Sequence, residues 1–181
     1  VFAVLCEPTN AAIEGGCNGT LRADVTVHGR AAHSARAWKG VNAIHATAPL
    51  LTALSAYEPR TVDVDGLTYR EGLNAVGMRG GIAGNVIPDA ATVTVNYRFA
   101  PSQSVEEAQR HVEDVVAAAL ADAPGPEGGS AHDLAWTDVA AACRPGLDAP
   151  VAQGFVAAVA ATGAGAPRAR AVRTNVSRSV G

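Results

Sequence analysis

Residues 18–33 read NGTLRADVTVHGRAAH, and this stretch decides the fold. Leu21, Ala23, Val25 and Val27 alternate with Arg22, Asp24, Thr26 and His28, a period of two that puts the apolar set on one face of a strand and the polar set on the other. Such a strand is half-buried. It runs through Gly29 into a loop of small residues, which carries His33 out of the sheet. A histidine on a loop tip held by a strand is placed to act outward and not to fill a core.

Downstream, Val41, Ile44, Ala48 and Leu51 recur at helical steps and predict a helix over 39–54, with a kink or break at Pro49. A turn-rich span over 58–66 precedes an extended segment over 67–81. Gly80, Gly81 and Gly84 then mark a tight backbone before Asn85-Val86-Ile87-Pro88. Val93, Val95, Tyr97 and Phe99 alternate with Thr94, Asn96 and Arg98 in the cleanest strand of the chain. Ser104 and Glu107 form a capping box for a second helix, whose apolar seam is Val105, Ala108, Val112, Val115 and Ala119. A last strand is expected over 131–139 and a third helix over 151–162.

The order between residues 18 and 139 is thus strand, helix, strand, strand, helix, strand. This is an α+β, ferredoxin-like βαββαβ arrangement, a four-stranded antiparallel sheet with two helices on one face. Before it, an apolar run over 2–6 reads as a buried strand ended by Glu7-Pro8, and 13–17 as a short strand or connector. A buried strand at the first residue is expected of a piece cut from a larger protein. The tail over 163–181 has no clear period and reads as poorly ordered, or as the start of an element whose partners are missing.

Composition narrows the function classes. The 181 residues carry 48% hydrophobic and 17% charged side chains, so an ordinary globular core is within reach. Only eight are aromatic, so the core is expected to be built largely from Ala, Val, Leu and Ile. A net charge of −3 without a basic run argues against nucleic-acid or membrane-surface binding. Cys6, Cys17 and Cys143 are odd in number and widely spaced, which fits a reduced cytoplasmic chain better than a disulfide framework or a zinc knuckle. No run is long and apolar enough for a membrane span.

Read residue by residue, the chemistry-bearing positions are modest. Glu7, at the carboxyl end of a buried strand, reads equally as a surface carboxylate or as a metal ligand, and H-E-x-x-H, C-x-x-C and H-x-D spacings are all absent. Glu106-Glu107 is explained by helix capping. His33 alone reads as a solvated loop residue, Asn85 as a turn residue and Arg98 as one half of a cross-strand ion pair. What these three share is a fixed polar donor on a rigid sheet or its rim, suited to a carboxylate or a developing oxyanion. His28, His45, His111 and His132 are given no role. No G-x-S-x-G elbow or phosphate-binding glycine loop occurs.

Taken in order, Glu7-Pro8-Thr9, Gly16-Cys17-Asn18-Gly19-Thr20, Gly29 through Ser34, Gly84 through Pro88 and Asn96-Tyr97-Arg98-Phe99 resemble the second half of members of the zinc aminoacylase and carboxypeptidase family. Within it, the motifs are similar to the desuccinylase branch acting on N-succinyl-diaminopimelate. The family also holds acetylornithine deacetylase, carboxypeptidase G and dipeptidases. The resemblance implies a two-zinc amide hydrolase interrupted by a ferredoxin-like lid that dimerises. It implies domains at 1–17 (catalytic fragment), 18–141 (lid) and 142–181 (return into the catalytic domain).

It also implies roles for single residues. Glu7 corresponds to a zinc ligand and His33 to the lid histidine that stabilises the oxyanion in the partner subunit's site. Asn85 corresponds to an asparagine offered across the dimer, and Arg98 to an arginine holding a substrate carboxylate. Asn18 and Thr20 fall beside the substrate, while Cys17 stands where other members carry an arginine. Most metal ligands and the base would precede Glu7, so the chain alone is expected to be inactive. The competing expectation is a non-catalytic dimerisation module using the lid's edge strand and helix.

Overall fold

The computed structural model describes residues 12–126, 131–163 and 168–169. In chain order the elements are β1 (Glu14–Gly15), β2 (Gly19–His28), β3 (Ala32–His33), a 3-10 turn (Ser34–Lys39), α1 (Ala43–Ala46), α2 (Ala48–Ser55), β4 (Thr61–Val64), β5 (Leu67–Arg70), β6 (Gly72–Gly80) and β7 (Val86–Ile87). Then follow β8 (Ala90–Phe99), α3 (Val105–Ala119), β9 (His132–Ala140), α4 (Pro150–Ala160) and β10 (Arg168–Ala169). The expected strand over 2–6, with Glu7, lies outside the described residues, as does most of the tail.

The principal sheet has the order β6-β8-β2-β9 and is antiparallel throughout. It is the ferredoxin-like arrangement expected from the sequence. The long strands β2 and β8 pair without a break from Gly19 opposite Phe99 to His28 opposite Ala90. Their period of two is read out directly in burial. Leu21, Ala23, Val25 and Val27 on β2, and Val93, Val95, Tyr97 and Phe99 on β8, all face the helices and are buried. Leu50 and Leu54 of α2 and Ala108, Val112 and Val116 of α3 close the same core. Each fully buried Val or Leu side chain contributes about 1.5–3 kcal/mol, so this one face carries the stability.

The opposite face is open and polar. Asp24 accepts from Arg79 Nη2 at 2.6 Å and from Thr94 Oγ1 at 2.6 Å, and the Arg79 bond, followed by that of Thr94, holds its carboxyl below the usual range. Arg22 with Asp138, at 3.7 Å, and Thr26 with Thr92, at 3.1 Å, continue the ladder.

Four local expectations are corrected. The helix expected over 39–54 is broken near Pro49 as foreseen, but it begins only at Ala43, after a 3-10 turn ending at Lys39, and its two parts meet at Thr47. Proline has no N–H and clashes with the preceding turn, so α2 starts afresh with Pro49 in its first turn. The span over 58–66 is not all turn: β4 forms a hairpin with β5, from Thr61 opposite Arg70 to Val64 opposite Leu67. The extended segment over 67–81 accordingly divides at Glu71 between two sheets. In α3 the fully buried seam residue is Val116 rather than Val115 or Ala119, which are only partly buried. From the tail, Arg168–Ala169 pairs in parallel with Glu14–Gly15.

Candidate functional site

The residues singled out from the sequence fall at two ends of the sheet. At one end, β2 passes Gly29 and the chain folds back on itself. Gly29 N–H donates to Asp89 O at 2.7 Å, Arg30 and Val41 exchange bonds at 2.8 and 2.9 Å, and Ala43 N–H donates to Pro88 O at 3.0 Å. A Cβ at Gly29 would run into the Val41 carbonyl, so only glycine permits this approach. Strand β3 then pairs with β7, His33 lying opposite Val86, and Ser34 N–H donates to Asn85 O at 2.9 Å. His33 and Asn85 are thereby held side by side. Both side chains are exposed.

His33 also caps the 3-10 turn. Its Nδ1 accepts from the Ala35 amide at 3.1 Å. A ring nitrogen that accepts a backbone N–H is unprotonated, so the neutral imidazole carries its proton on Nε2. The outward-facing nitrogen is therefore a donor of fixed tautomer, the form needed to meet a developing negative oxygen.

At the other end lie Asn18, Thr20, Asn96 and Arg98. Thr20 is opposite Arg98 in the β2–β8 register, on the open face. Asn96 Nδ2 donates to Thr20 Oγ1 at 3.1 Å and to Leu21 O at 3.0 Å, while its Oδ1 accepts from Arg98 Nε at 3.1 Å. The expected cross-strand ion pair is not made: among the described residues no carboxylate pairs with Arg98. Its terminal nitrogens keep their fork for a planar anion. The Asn18 amide donates to Arg70 O at 2.8 Å and so ties the start of β2 to the end of β5.

Arg98 and the His33 loop are not brought together within one chain. Eight steps of extended β8 run from Ala90 to Arg98, roughly 26 Å at strand rise. Arg98 and the His33 loop thus lie toward opposite ends of the β2–β8 ladder.

On the other face of the sheet, bonded to Tyr97, lies a buried carboxylate that the sequence reading missed. Glu71 is only 3% exposed. Its Oε1 accepts from Ala100 N at 3.0 Å and Gln103 Nε2 at 2.6 Å, and its Oε2 from Arg60 Nε at 2.8 Å and Tyr97 OH at 3.1 Å. Burial pushes its pKa up, but these bonds, led by Arg60 and the Ala100 amide, outweigh it and hold the carboxyl below its ordinary value. Beside it, Tyr57 OH and His111 Nε2 lie 2.9 Å apart, and burial keeps His111 below the usual imidazole range. The signal was present: Leu67, Tyr69, Glu71 and Leu73 share one period-two face, and all four are buried.

Among the described residues no group of three or more His, Cys, Asp or Glu side chains could hold a metal ion. Glu7, the one ligand expected from the sequence, lies outside them. No described helix is long and apolar enough to cross a membrane.

Similarity to known proteins follows the same outline. The chain is 49% identical over 176 residues to a Mycobacterium tuberculosis protein carrying the name succinyl-diaminopimelate desuccinylase DapE, covering 97% of this chain and 46% of the relative. To the Corynebacterium glutamicum succinyl-diaminopimelate desuccinylase it is 44% identical over 158 residues, 87% of this chain and 41% of the relative. The chain thus spans a little under half the length of these relatives. Among solved structures, a Staphylococcus aureus tripeptidase superposes with a TM-score of 0.68 at 16% identity, over 93% of this chain and 42% of that one. The Bacillus cereus aminopeptidase PepT gives 0.67 at 17%, over 95% and 43%, and both likenesses concern the fold alone. Residues 16–124 match the M20 peptidase dimerisation domain, and the chain belongs to that family.

Proposed function

We propose that this chain is the lid, with flanking catalytic-domain segments, of a zinc-dependent amide hydrolase that releases succinate from N-succinyl-LL-2,6-diaminopimelate. The observation that carries this reading is the 44–49% identity to relatives of that name across 87–97% of the chain. In this reading residues 1–17 and 142–181 belong to the catalytic domain and 18–141 to the lid. The enzyme is cytoplasmic.

The chain's own residues then have distinct tasks. Arg98 grips a carboxylate of the substrate, with Thr20 and Asn18 beside it. His33 donates Nε2–H to the amide oxygen as negative charge develops, and Asn85 contributes a second polar contact, both from the partner subunit. Zinc is held by residues outside the described part of the chain, with Glu7 as one ligand, so no step through the metal is derived from the present geometry. The homodimer forms through the edge strand β6 and the neighbouring α2. Among the described residues strand β6 pairs only with β8, and Val76 and Met78 stand 58% and 48% exposed along it. An unpaired apolar edge of this kind is a template for a second copy.

The test is an assay of the enzyme containing this chain. Succinate release from N-succinyl-LL-2,6-diaminopimelate is expected to exceed acetate release from N-acetylornithine by about a hundredfold or more in kcat/KM, because a site built around polar contacts rejects a substrate lacking them. Chelation should abolish the activity and zinc restore it. Equal or preferential deacetylation would overturn the assignment.

A further inference from the structure

The two chain passages that enter and leave the principal sheet meet at one rung, Cys17 opposite Cys143. Cys17 lies two residues before β2 starts, and Cys143 three residues after β9 ends. Cys17 N–H donates to Cys143 O at 2.9 Å and Cys143 N–H donates back to Cys17 O at 3.0 Å. Reciprocal bonds define a hydrogen-bonded antiparallel pair, with Cα atoms about 5.5 Å apart and both side chains on one face. Disulfides span Cα separations of about 4.4–6.8 Å, so the backbone already stands at cystine distance.

Two further observations support the pairing. Tyr69, whose hydroxyl donates to Gly15 O at 2.9 Å, is pushed up to about 12, by burial first and then by the charges of Cys17, Asp65 and Cys143. Both sulfurs therefore lie within electrostatic reach of one hydroxyl. Gly16, at φ +62°, is the residue whose missing side chain lets the strands close: a Cβ there would strike the Tyr69 hydroxyl and the Cys143 carbonyl. Both cysteines are free thiols, Cys143 exposed and Cys17 half-buried.

We infer that Cys17 and Cys143 form a reversible redox clasp, in which a peroxide converts the two thiols to a cystine that ties together both passages at the root of the sheet. The exposed Cys143 sulfur attacks one peroxide oxygen, the O–O bond breaks, and one water leaves a sulfenic acid. The Cys17 sulfur attacks the sulfenic sulfur, the S–O bond breaks, and the second water departs. Two thiols give up two electrons and two protons, and the peroxide is reduced to two waters. In a hydrogen-bonded pair the Cβ atoms stand farther apart than the roughly 3.8 Å of a relaxed disulfide. The bond is thus one that added thiol reopens readily. The clasp rests on the backbone register and is independent of the proposed hydrolase activity.

Hydrogen peroxide is added to the full 181-residue chain, as wild type and as Cys6→Ser, followed by alkylation and non-reducing peptide mapping. The expected result in both is one intramolecular Cys17–Cys143 link, with loss of two hydrogens in mass and of both alkylatable thiols. Its yield should not vary with protein concentration, and dithiothreitol should return both thiols. Two still-alkylatable thiols after peroxide, sulfinic or sulfonic products without the link, or links only between chains or to Cys6, would each overturn the inference.

Discussion

The two ends of the principal sheet are built on different principles. The His33 end is exposed and held almost wholly by main-chain bonds, from Gly29 to Asp89, Arg30 to Val41 and Ser34 to Asn85. The Arg98 end is half-buried, with Arg98 Nε held by the Asn96 side chain and the buried Glu71 network on the other face of the sheet. The contrast separates presentation from support. The exposed His33 is steadied through its backbone, whereas the half-buried Arg98 is oriented by a neighbouring side chain.

Breaking each end should therefore have a different signature. The largest effect is expected from His33→Ala in the complete enzyme, with kcat lowered by about 10²–10³-fold and KM nearly unchanged, as for loss of one oxyanion donor. Thermal unfolding should barely move, because His33 is exposed and its one local bond caps a short turn. A fall in KM-dependent binding with intact kcat would assign it to substrate grip instead.

Glu71→Ala inverts that pattern. It strands the buried Ala100 amide and Tyr97 hydroxyl and removes a partner of the half-buried Gln103, and a loss of about 3 kcal/mol is expected in urea unfolding. Arg60 adds little to this figure because its side chain is 54% exposed. The same network should give the protein a two-part acid limb. His111 is depressed below its ordinary 6.5, so the unfolded chain binds its proton first and stability falls as pH drops below that value. Glu71 is depressed below 4.5, so its stabilisation is full above that pH and is lost as pH falls through its lower folded value. In stability curves against pH, Glu71→Gln should flatten only the lower part and His111→Gln only the upper.

The smallest effect is expected at the cap of α3. Ser104 N–H donates to Glu107 Oε2 at 2.8 Å, and Glu107 N–H donates to Ser104 Oγ at 3.1 Å. Ser104→Ala should cost about 1 kcal/mol in the same unfolding experiment, without altering kcat.

How much of this could be read from the sequence follows from how local each cause is. Strands β2 and β8 and the α3 capping box are written in spacings of two and three residues, and the structure has them where the sequence places them. The β4–β5 hairpin and the helix break at Thr47 were obscured because turn residues mask short strands and a proline signals a break without fixing its residue. The Glu71 network joins residues 60, 71, 97, 100 and 103: Arg60 reaches Glu71 through the β4–β5 hairpin, and the other three become its neighbours only once β6 and β8 are paired. At the His33 end, the adjacency to Asn85 depends on β3 meeting β7 across more than fifty residues of chain. The fixed His33 tautomer, by contrast, arises from a contact two residues away and was legible in principle.

The separation of the two ends can be tested most directly by mixing subunits of the complete enzyme, one carrying His33→Ala and the other Arg98→Ala. If His33 acts across the dimer and Arg98 within its own copy, each mixed dimer has one intact site. An equal mixture, reassorted freely, should then recover about one quarter of wild-type activity from two nearly inactive parents. No recovery on mixing, with mixed dimers demonstrably formed, would mean that both groups serve the same copy and would contradict the account.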